Sequence, residues 1–328
     1  MGRNKNIDDL RGLAMLAMMA IHSTGGSSQG LSFIIWDFFQ WAVPVFLFCS
    51  SYLFFNQTRK FKFKDVFPYF KKRAVRLFVP YYIFLSIFFL LSFFYAKENL
   101  TRYFLKASLL LTGGISYNWL VLVIAYLSIL MPVIFLIKKR SKPMYYLYFI
   151  ISSASSIYFI FRPFDYRTIM WLPWSVLIYF SIFFLENRRS HTKIFLMWIF
   201  SLILFLIIRY AELKIGHNTS QFANKYPPNL YHLSFGFFWI ITLNWLSQKK
   251  AFNVFGFDRF LTFLSMNSYS LFFIHILVIS MIGWLHLFSS SKILFFGIVV
   301  IFSSLIQLGL NSGQKLLSRI FPIKLFSN

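Results

Sequence analysis

Arg11 and His22 stand eleven positions apart within one apolar run near the N-terminus. Eleven steps of about 100° make roughly three turns, so a helix puts both side chains on one face, about 16 Å apart along its axis. A neutral imidazole can take a proton from a hydroxyl near pH 7. A guanidinium offers a rigid fork of donors to an anion. Neither group is stable against hydrocarbon, where a charge costs several kcal/mol. The spacing therefore predicts a buried polar path. The plainer reading of His22 is a histidine hydrogen-bonded for packing alone. Its register with Arg11 favours proton transfer, as does Asp8, placed for i,i+3 pairing with Arg11. Asp9 points elsewhere and reads as a solvated charge.

A second constellation lies at Lys71-Lys72-Arg73-Ala74-Val75-Arg76. Three residues apart on a helix, Arg73 and Arg76 present two guanidinium forks together. Composition alone favours anchoring to anionic lipid, while planar forks also suit the phosphates of a nucleotide-like or CoA-like ligand. His275, deep in a later apolar run, is a further polar group that could line a cavity. Trp119, beside Asn118, reads as an interfacial anchor. The segment 226–229 reads as a rigid turn into the next helix, with His232 one turn later. His191 and His217 read as solvated. No His, Cys, Asp or Glu group has metal spacing, and no glycine-rich phosphate loop is present. Nine acidic residues give little support to a carboxylate-driven ion pump.

The elements that must position these residues are transmembrane helices. Of the 328 residues, 58% are hydrophobic and 22% aromatic, more apolar surface than a soluble domain of this size can hide. Ten apolar segments are expected, at about 8–24, 31–55, 77–96, 117–137, 144–161, 168–185, 194–210, 230–247, 260–286 and 293–312. The net charge of +24 reads as positive-inside bias rather than nucleic-acid binding. Of the 33 Lys and Arg residues, 24 fall in alternate polar segments. These run from Arg3, Lys5 and Arg11 through 59–76, Lys138, Arg188 and Lys249 to Lys315 and Lys324. An even number of crossings with both termini cytoplasmic follows. Ser152, Ser153, Ser155 and Ser156 mark a helix that packs against protein. Asp8, Asp9 and His22 argue against a cleaved signal peptide. The single Cys49 excludes an intramolecular disulfide. The expectation is one all-α, multi-pass domain over 1–328, with the bilayer as a partner and no nucleic acid.

These motifs, in this order, resemble the membrane-bound acyltransferase-3 family. Ile7-Asp8-Asp9-Leu10-Arg11-Gly12-Leu13-Ala14, with His22 following, is similar to the family's Asp-x-Leu-Arg-Gly-x-Ala opening and its Arg-x10-His spacing. The stretch from Pro44 to Ser51 is similar to its Phe-Phe-x-x-Ser-Gly segment, and Arg73 to Arg76 with Pro80 to its Arg-x-x-Arg motif. Asn118-Trp119-Leu120 with Pro132 is similar to its fourth span, and Ser268-Tyr269 through His275 to its Ser-Tyr-x-x-Tyr-Leu-x-His ending. The run from Tyr226 to Gly236 is similar to a Tyr-Pro-Pro-Asn-Leu-Tyr segment in part of the family. Ser51 stands where the family has Gly, and Phe272 where Tyr is common.

The resemblance implies an enzyme of the inner or plasma membrane that moves an acyl group, most often acetyl, from cytoplasmic acyl-CoA to a hydroxyl. The acceptor would be a surface polysaccharide or related envelope glycan, free or lipid-linked. It implies that Arg73 and Arg76 hold the donor's phosphates, that Arg11 sits by the acyl-bearing arm, and that His22 is the catalytic base, with Asp8 in support. A transient acyl-histidine is the alternative to direct attack. His275, Tyr269, Trp119 and Ser50 are candidates for the acceptor site or cavity wall, and no metal is required. The rival expectation is an exporter of glycan intermediates, in which Arg11, His22 and His275 line a permeation route.

Overall fold

The computed structural model describes residues 4–25, 30–57, 61–161, 166–287 and 291–320. Arg3, Arg59 and Lys324, named above, lie outside them. Among the described residues every regular element is helical. The first seven helices are α1 (Lys5–Thr24), α2 (Gly30–Phe38), α3 (Ala42–Gln57), α4 (Val66–Tyr95), α5 (Arg102–Leu109), α6 (Trp119–Arg140) and α7 (Lys142–Phe161). Then come α8 (Tyr166–Ile169), α9 (Trp171–Trp174), α10 (Val176–Asn187), α11 (His191–Lys214), α12 (Leu230–Gln248), α13 (Phe257–Met266), α14 (Ser268–Trp284) and α15 (Lys292–Ile320). In hydrocarbon each backbone donor and acceptor must be satisfied within its own segment, which leaves the helix as the solution for apolar runs of this length.

Among the described residues, six stretches are long and apolar enough to cross a bilayer: Gly30–Gln57, Phe63–Tyr95, Ser116–Arg140, Lys142–Phe161, His191–Lys214 and Lys292–Leu316. A seventh arises if α13 and α14, bent by 91° to each other, form one broken span. The remaining expected segments fold as helices of a different character. The helix α1 carries Lys5, Asp8, Asp9 and Arg11 in its first two turns, which shortens its apolar part. The run 168–185 is divided among α8, α9 and α10, and α12 carries His232, Ser234, Asn244 and Ser247 as buried polar residues. Of these, α1, α10 and α12 bury more than half of their residues inside the bundle.

The helix α1 is largely sheathed by its neighbours. Its N-terminus is capped by Asn4, whose Oδ1 accepts from the Ile7 N–H at 3.4 Å. Thirteen of its twenty residues are buried. The closest approach is at Gly12, where an added Cβ would lie 2.3 Å from the Leu261 carbonyl oxygen of α13. Only a residue without a side chain lets these two backbones meet. Asp9, expected to be solvated, is instead buried at 1% exposure and accepts from Ser247 Oγ of α12 at 2.6 Å. Asp8 Oδ1 accepts from Ser265 Oγ of α13 at 3.0 Å. The two neighbouring carboxylates thus hold two different helices against α1.

Other bonds gather the basic residues at this end of the bundle. Arg188 donates to the Tyr52 hydroxyl at 2.7 Å and to Asn56 Oδ1 at 3.1 Å. Lys139 donates to the Phe61 carbonyl at 3.3 Å, Lys138 pairs with Glu186, and Lys5 pairs with Asp258 at 3.0 Å. The serine-rich face of α7 packs inward as expected: Ser152 and Ser156 are buried, and Ser152 Oγ lies 2.7 Å from Ser175 Oγ.

Gly12→Ala should destabilise the protein by roughly 1–3 kcal/mol, because the new methyl group overlaps backbone rather than a movable side chain. Thermal denaturation of the purified chain in detergent checks this. An unchanged midpoint would show that the α1–α13 contact relaxes freely.

Candidate functional site

Two neighbouring cavities open at the basic end, of about 350 and 190 Å³. Arg11, Ser50, Arg73 and Arg76 line both. The larger adds Gln57, Tyr69 and Lys72, and the smaller adds Ser268 and Tyr269. The structure therefore brings together the two arginine motifs, one on α1 and one on α4, which the chain separates by about sixty residues. Arg73 is held in place: its Nε donates to Ser128 Oγ of α6 at 2.9 Å, and that hydroxyl donates to the Ile124 carbonyl at 2.6 Å. Arg11 is different, because its buried Nε has no hydrogen-bond partner among the described residues. An unpaired guanidinium donor in a cationic cavity is a strong attractor for phosphate or carboxylate oxygen.

Tyr269 and Ser268 reach the same cavity because α14 starts there, just after the bend from α13. The Tyr269 hydroxyl donates to the Leu77 carbonyl of α4 at 2.7 Å, close to Pro80, which interrupts the helical hydrogen bonding of that segment. Ser50 turns back on its own helix, donating to the Phe46 carbonyl at 3.3 Å. Ser50 and Tyr269, grouped in the sequence reading with the acceptor residues, thus share the arginine-lined space.

His22 lies farther along α1, at the opposite end of the polar face. Its Nδ1 is 2.7 Å from His275 Nε2 of α14, and the two rings are parallel within 5°. His275 Nδ1 is 2.9 Å from the Leu271 carbonyl, one turn back on its own helix. A carbonyl can only accept, so Nδ1 of His275 carries a proton and its Nε2, in the neutral ring, is an acceptor. His22 Nδ1 must then donate to it, which leaves His22 Nε2 with a free lone pair. The backbone of α14 thereby selects the tautomer of His22 and turns its Nε2 into a proton acceptor. The Tyr117 ring meets the His22 ring edge-on at 4.7 Å, and Phe272 flanks it at 6.3 Å.

Between Arg11 and His22, the shared face of α1 presents Met15 and Met18, both buried. Neither arginine-lined cavity includes His22 among its lining residues. The single path predicted from the spacing is thus interrupted: Met15 and Met18 lie between the arginine-lined cavities and His22, and thioether side chains repack more readily than branched or aromatic ones.

Trp119 does not sit at the membrane surface as an anchor. It is buried, with its ring 4.8 Å from that of Tyr226. Lys225 lies over both rings, at 4.9 and 5.2 Å from their centroids, and donates to Gln40 Oε1 at 2.9 Å. Burial pushes the Lys225 ammonium down to about 7. Its charge also reaches His22 and His232. His217 is half-buried against Asn224 at 3.1 Å rather than solvated.

The Ser116–Asn118 turn that carries Tyr117 is held by a small network. Asn118 Nδ2 donates to the Gly113 carbonyl at 2.7 Å, and Arg167 Nη1 donates to Asn118 Oδ1 at 2.8 Å. Tyr117, Lys225 and Gln40 were missed in the sequence. A signal existed for Lys225, a lone cation beside Tyr226 on the side otherwise poor in basic residues. Nothing in the spacing of Tyr117 or Gln40 marked either. Among the described residues, no group of three or more His, Cys, Asp or Glu could hold a metal ion.

Residues 4–309 match the family model described as an acyltransferase domain, that of the acyltransferase-3 family. No similar curated protein and no similar solved structure was found.

Nitrogen-15 NMR of histidine-labelled protein should report His22 with a protonated Nδ1 and an unprotonated Nε2. Replacing His275 with Phe should scramble that preference. A protonated Nε2 in the unaltered protein would refute the relay.

Proposed function

The chain belongs to the acyltransferase-3 family, and we propose that it moves an acyl group, acetyl above all, from acyl-CoA to a hydroxyl of an envelope glycan. Membership makes it a multi-pass membrane acyltransferase; donor, acceptor and site are our reading. The observation that carries it is the relay from the Leu271 carbonyl through His275 to His22. It leaves a base on the same face of α1 as an unpaired arginine. The family match lends no support to the exporter reading of the same residues.

On this reading the donor's phosphates meet Arg73, Arg76 and Lys72 in the larger cavity, where charge-assisted bonds to guanidinium are strong. The cavity lies at the end rich in basic residues, which we take as cytoplasmic. Both termini then lie in the cytoplasm, and the membrane is the inner or plasma membrane. Arg11 steadies the start of the pantetheine arm. The face from Arg11 to His22 runs about 16 Å, comparable to that arm when extended. The arm passes Met15 and Met18 by displacing their side chains.

His22 Nε2 takes the proton of the acceptor hydroxyl as its oxygen bonds to the thioester carbonyl carbon. The carbonyl π pair moves onto oxygen, then returns as the C–S bond breaks, and the departing thiolate recovers the proton from His22. Throughout, His22 Nδ1 keeps its proton in the bond to His275, so the ring gains and loses charge without reorienting. The buried surroundings limit hydrolysis of the thioester.

His22→Ala should lower acetyl-CoA turnover in membranes by at least about a hundredfold while acetyl-CoA still binds. Near-normal O-acetylation would remove His22 from catalysis. Arg73→Ala should instead raise KM for acetyl-CoA about tenfold or more, the loss expected for one charge-assisted bond. A fall in kcat alone would move Arg73 from donor binding to the chemical step.

A further inference from the structure

Lys225 is a lysine sealed inside the protein with no carboxylate beside it among the described residues. It is 4% exposed, and no carboxylate among the described residues pairs with it. Its one hydrogen-bond partner is the neutral Gln40 Oε1, and its remaining donors lie over the faces of Trp119 and Tyr226. Aromatic faces hold an ammonium in position but do not neutralise it. An uncompensated buried charge is costly, and a fold keeps one where a ligand completes it.

The neighbourhood has other open valences. His232 Nδ1 lies 3.2 Å from Gln221 Oε1, which can only accept, so the ring's Nε2 is left as an acceptor. That Nε2 and the Gln221 Nε2 donor are both buried without partners among the described residues. The charge of Lys225 acts on His232 and on His22 alike, so these open groups and the His22 imidazole share one neighbourhood. One acceptor, one donor and two aromatic faces match a sugar's hydroxyls and its apolar C–H face. The ammonium matches something a neutral sugar lacks.

We propose that Lys225 recognises a negatively charged group, a carboxylate or a phosphate, carried by the hydroxyl acceptor. This rests on the acyl-transfer reading above. The acceptor of this enzyme is then an acidic glycan unit. The arrangement also separates the two anionic substrates. The donor's phosphates belong to Arg11, Arg73 and Arg76 at the basic end, and the acceptor's charge to Lys225 on the other side of His22. Neither anion competes for the other's site.

The test uses the full chain in lipid nanodiscs with acetyl-CoA and three acceptors: methyl glucoside, methyl glucuronoside and methyl glucoside 6-phosphate. The expected result is a kcat/KM at least tenfold higher for one or both anionic acceptors than for the neutral one. The pattern between the two separates carboxylate from phosphate. Lys225→Met should raise KM for the favoured acceptor about tenfold and bring the preference near unity. Lys225→Arg, which keeps the charge, should preserve the preference and guards against simple misfolding. His22-dependent transfer with no preference for charge overturns this inference alone. So does a Lys225→Met variant that lowers kcat equally for all three acceptors, which would assign the ammonium to the reacting carbonyl oxygen. Absence of transfer to any acceptor by the unaltered chain overturns both this inference and the reading beneath it.

Discussion

A helix that carries two carboxylates, a guanidinium and an imidazole cannot face lipid, and the rest of this bundle is arranged around that constraint. Each polar group on α1 has to be met by a neighbour or by a ligand. Asp8 and Asp9 are met by serines on α13 and α12, His22 by His275 on α14. Arg11 Nε has no hydrogen-bonding partner among the described residues, and neither has the second oxygen of Asp9, Oδ1. Of these two open groups, the arginine is the one that lines the cavities. Gly12, next to it, lets α13 come close enough to supply the Ser265 hydroxyl. One small residue therefore underwrites both the packing and the polar contacts of the helix that holds the site.

The same accounting separates structural charges from functional ones. Arg188 and Lys5 have neutral or acidic partners from other elements and serve to tie helix ends together. Arg73 has one partner, Ser128, engaged through Nε, which leaves the outer nitrogens of its fork for the cavity. Lys225 has aromatic faces and a neutral amide. From Arg188 through Arg73 to Lys225 the hydrogen-bond partners given are all neutral, and burial is greatest at Lys225. A cation whose neighbours fix its position without cancelling its charge is prepared for something the chain does not itself contain.

Much of this was legible in the residues, and the reasons are local. The Arg11–His22 register follows from helical geometry alone, and the Arg73–Arg76 pair from spacing on one helix. The meeting of those two motifs in one cavity is not local, because it depends on α1 and α4 packing across the bundle. His275 could be marked as a buried polar group, yet only coordinates reveal that its partner is His22 and that Leu271 orients it. The spans were legible where hydropathy is strong, as in α6 and α11. They blurred where function had put polar residues into the helices, as in α1 and α12, because hydropathy measures fitness for lipid and these helices are surrounded by protein. Asp9 was misread for the same reason: a carboxylate near a helix start looks solvated until the serine that buries it is known. Trp119 was misread because indole suits an interface as well as it suits a cage around an ammonium.

The histidine pair also shows which element orients His22. His275 is bonded through its Nδ1 to a carbonyl of its own helix, so its orientation is a property of α14 rather than of a loop. Tyr269, about two turns earlier on that helix, lies against the arginine cavity and is bonded to α4. The arginine-lined cavity and the histidine pair are therefore joined by a pair of helices running the same way: α1 with Arg11 and His22, α14 with Tyr269 and His275. Sliding α14 along its neighbours would break the histidine bond to α1 and the Tyr269 bond to α4 together. Geometry set by two packed helices is more exact than geometry set by loops. It means that the arginine-lined cavity and the tautomer of His22 are held by the same pair of helices. The bend at Asn267, which starts α14 beside the cavity, is what allows one rigid element to serve both.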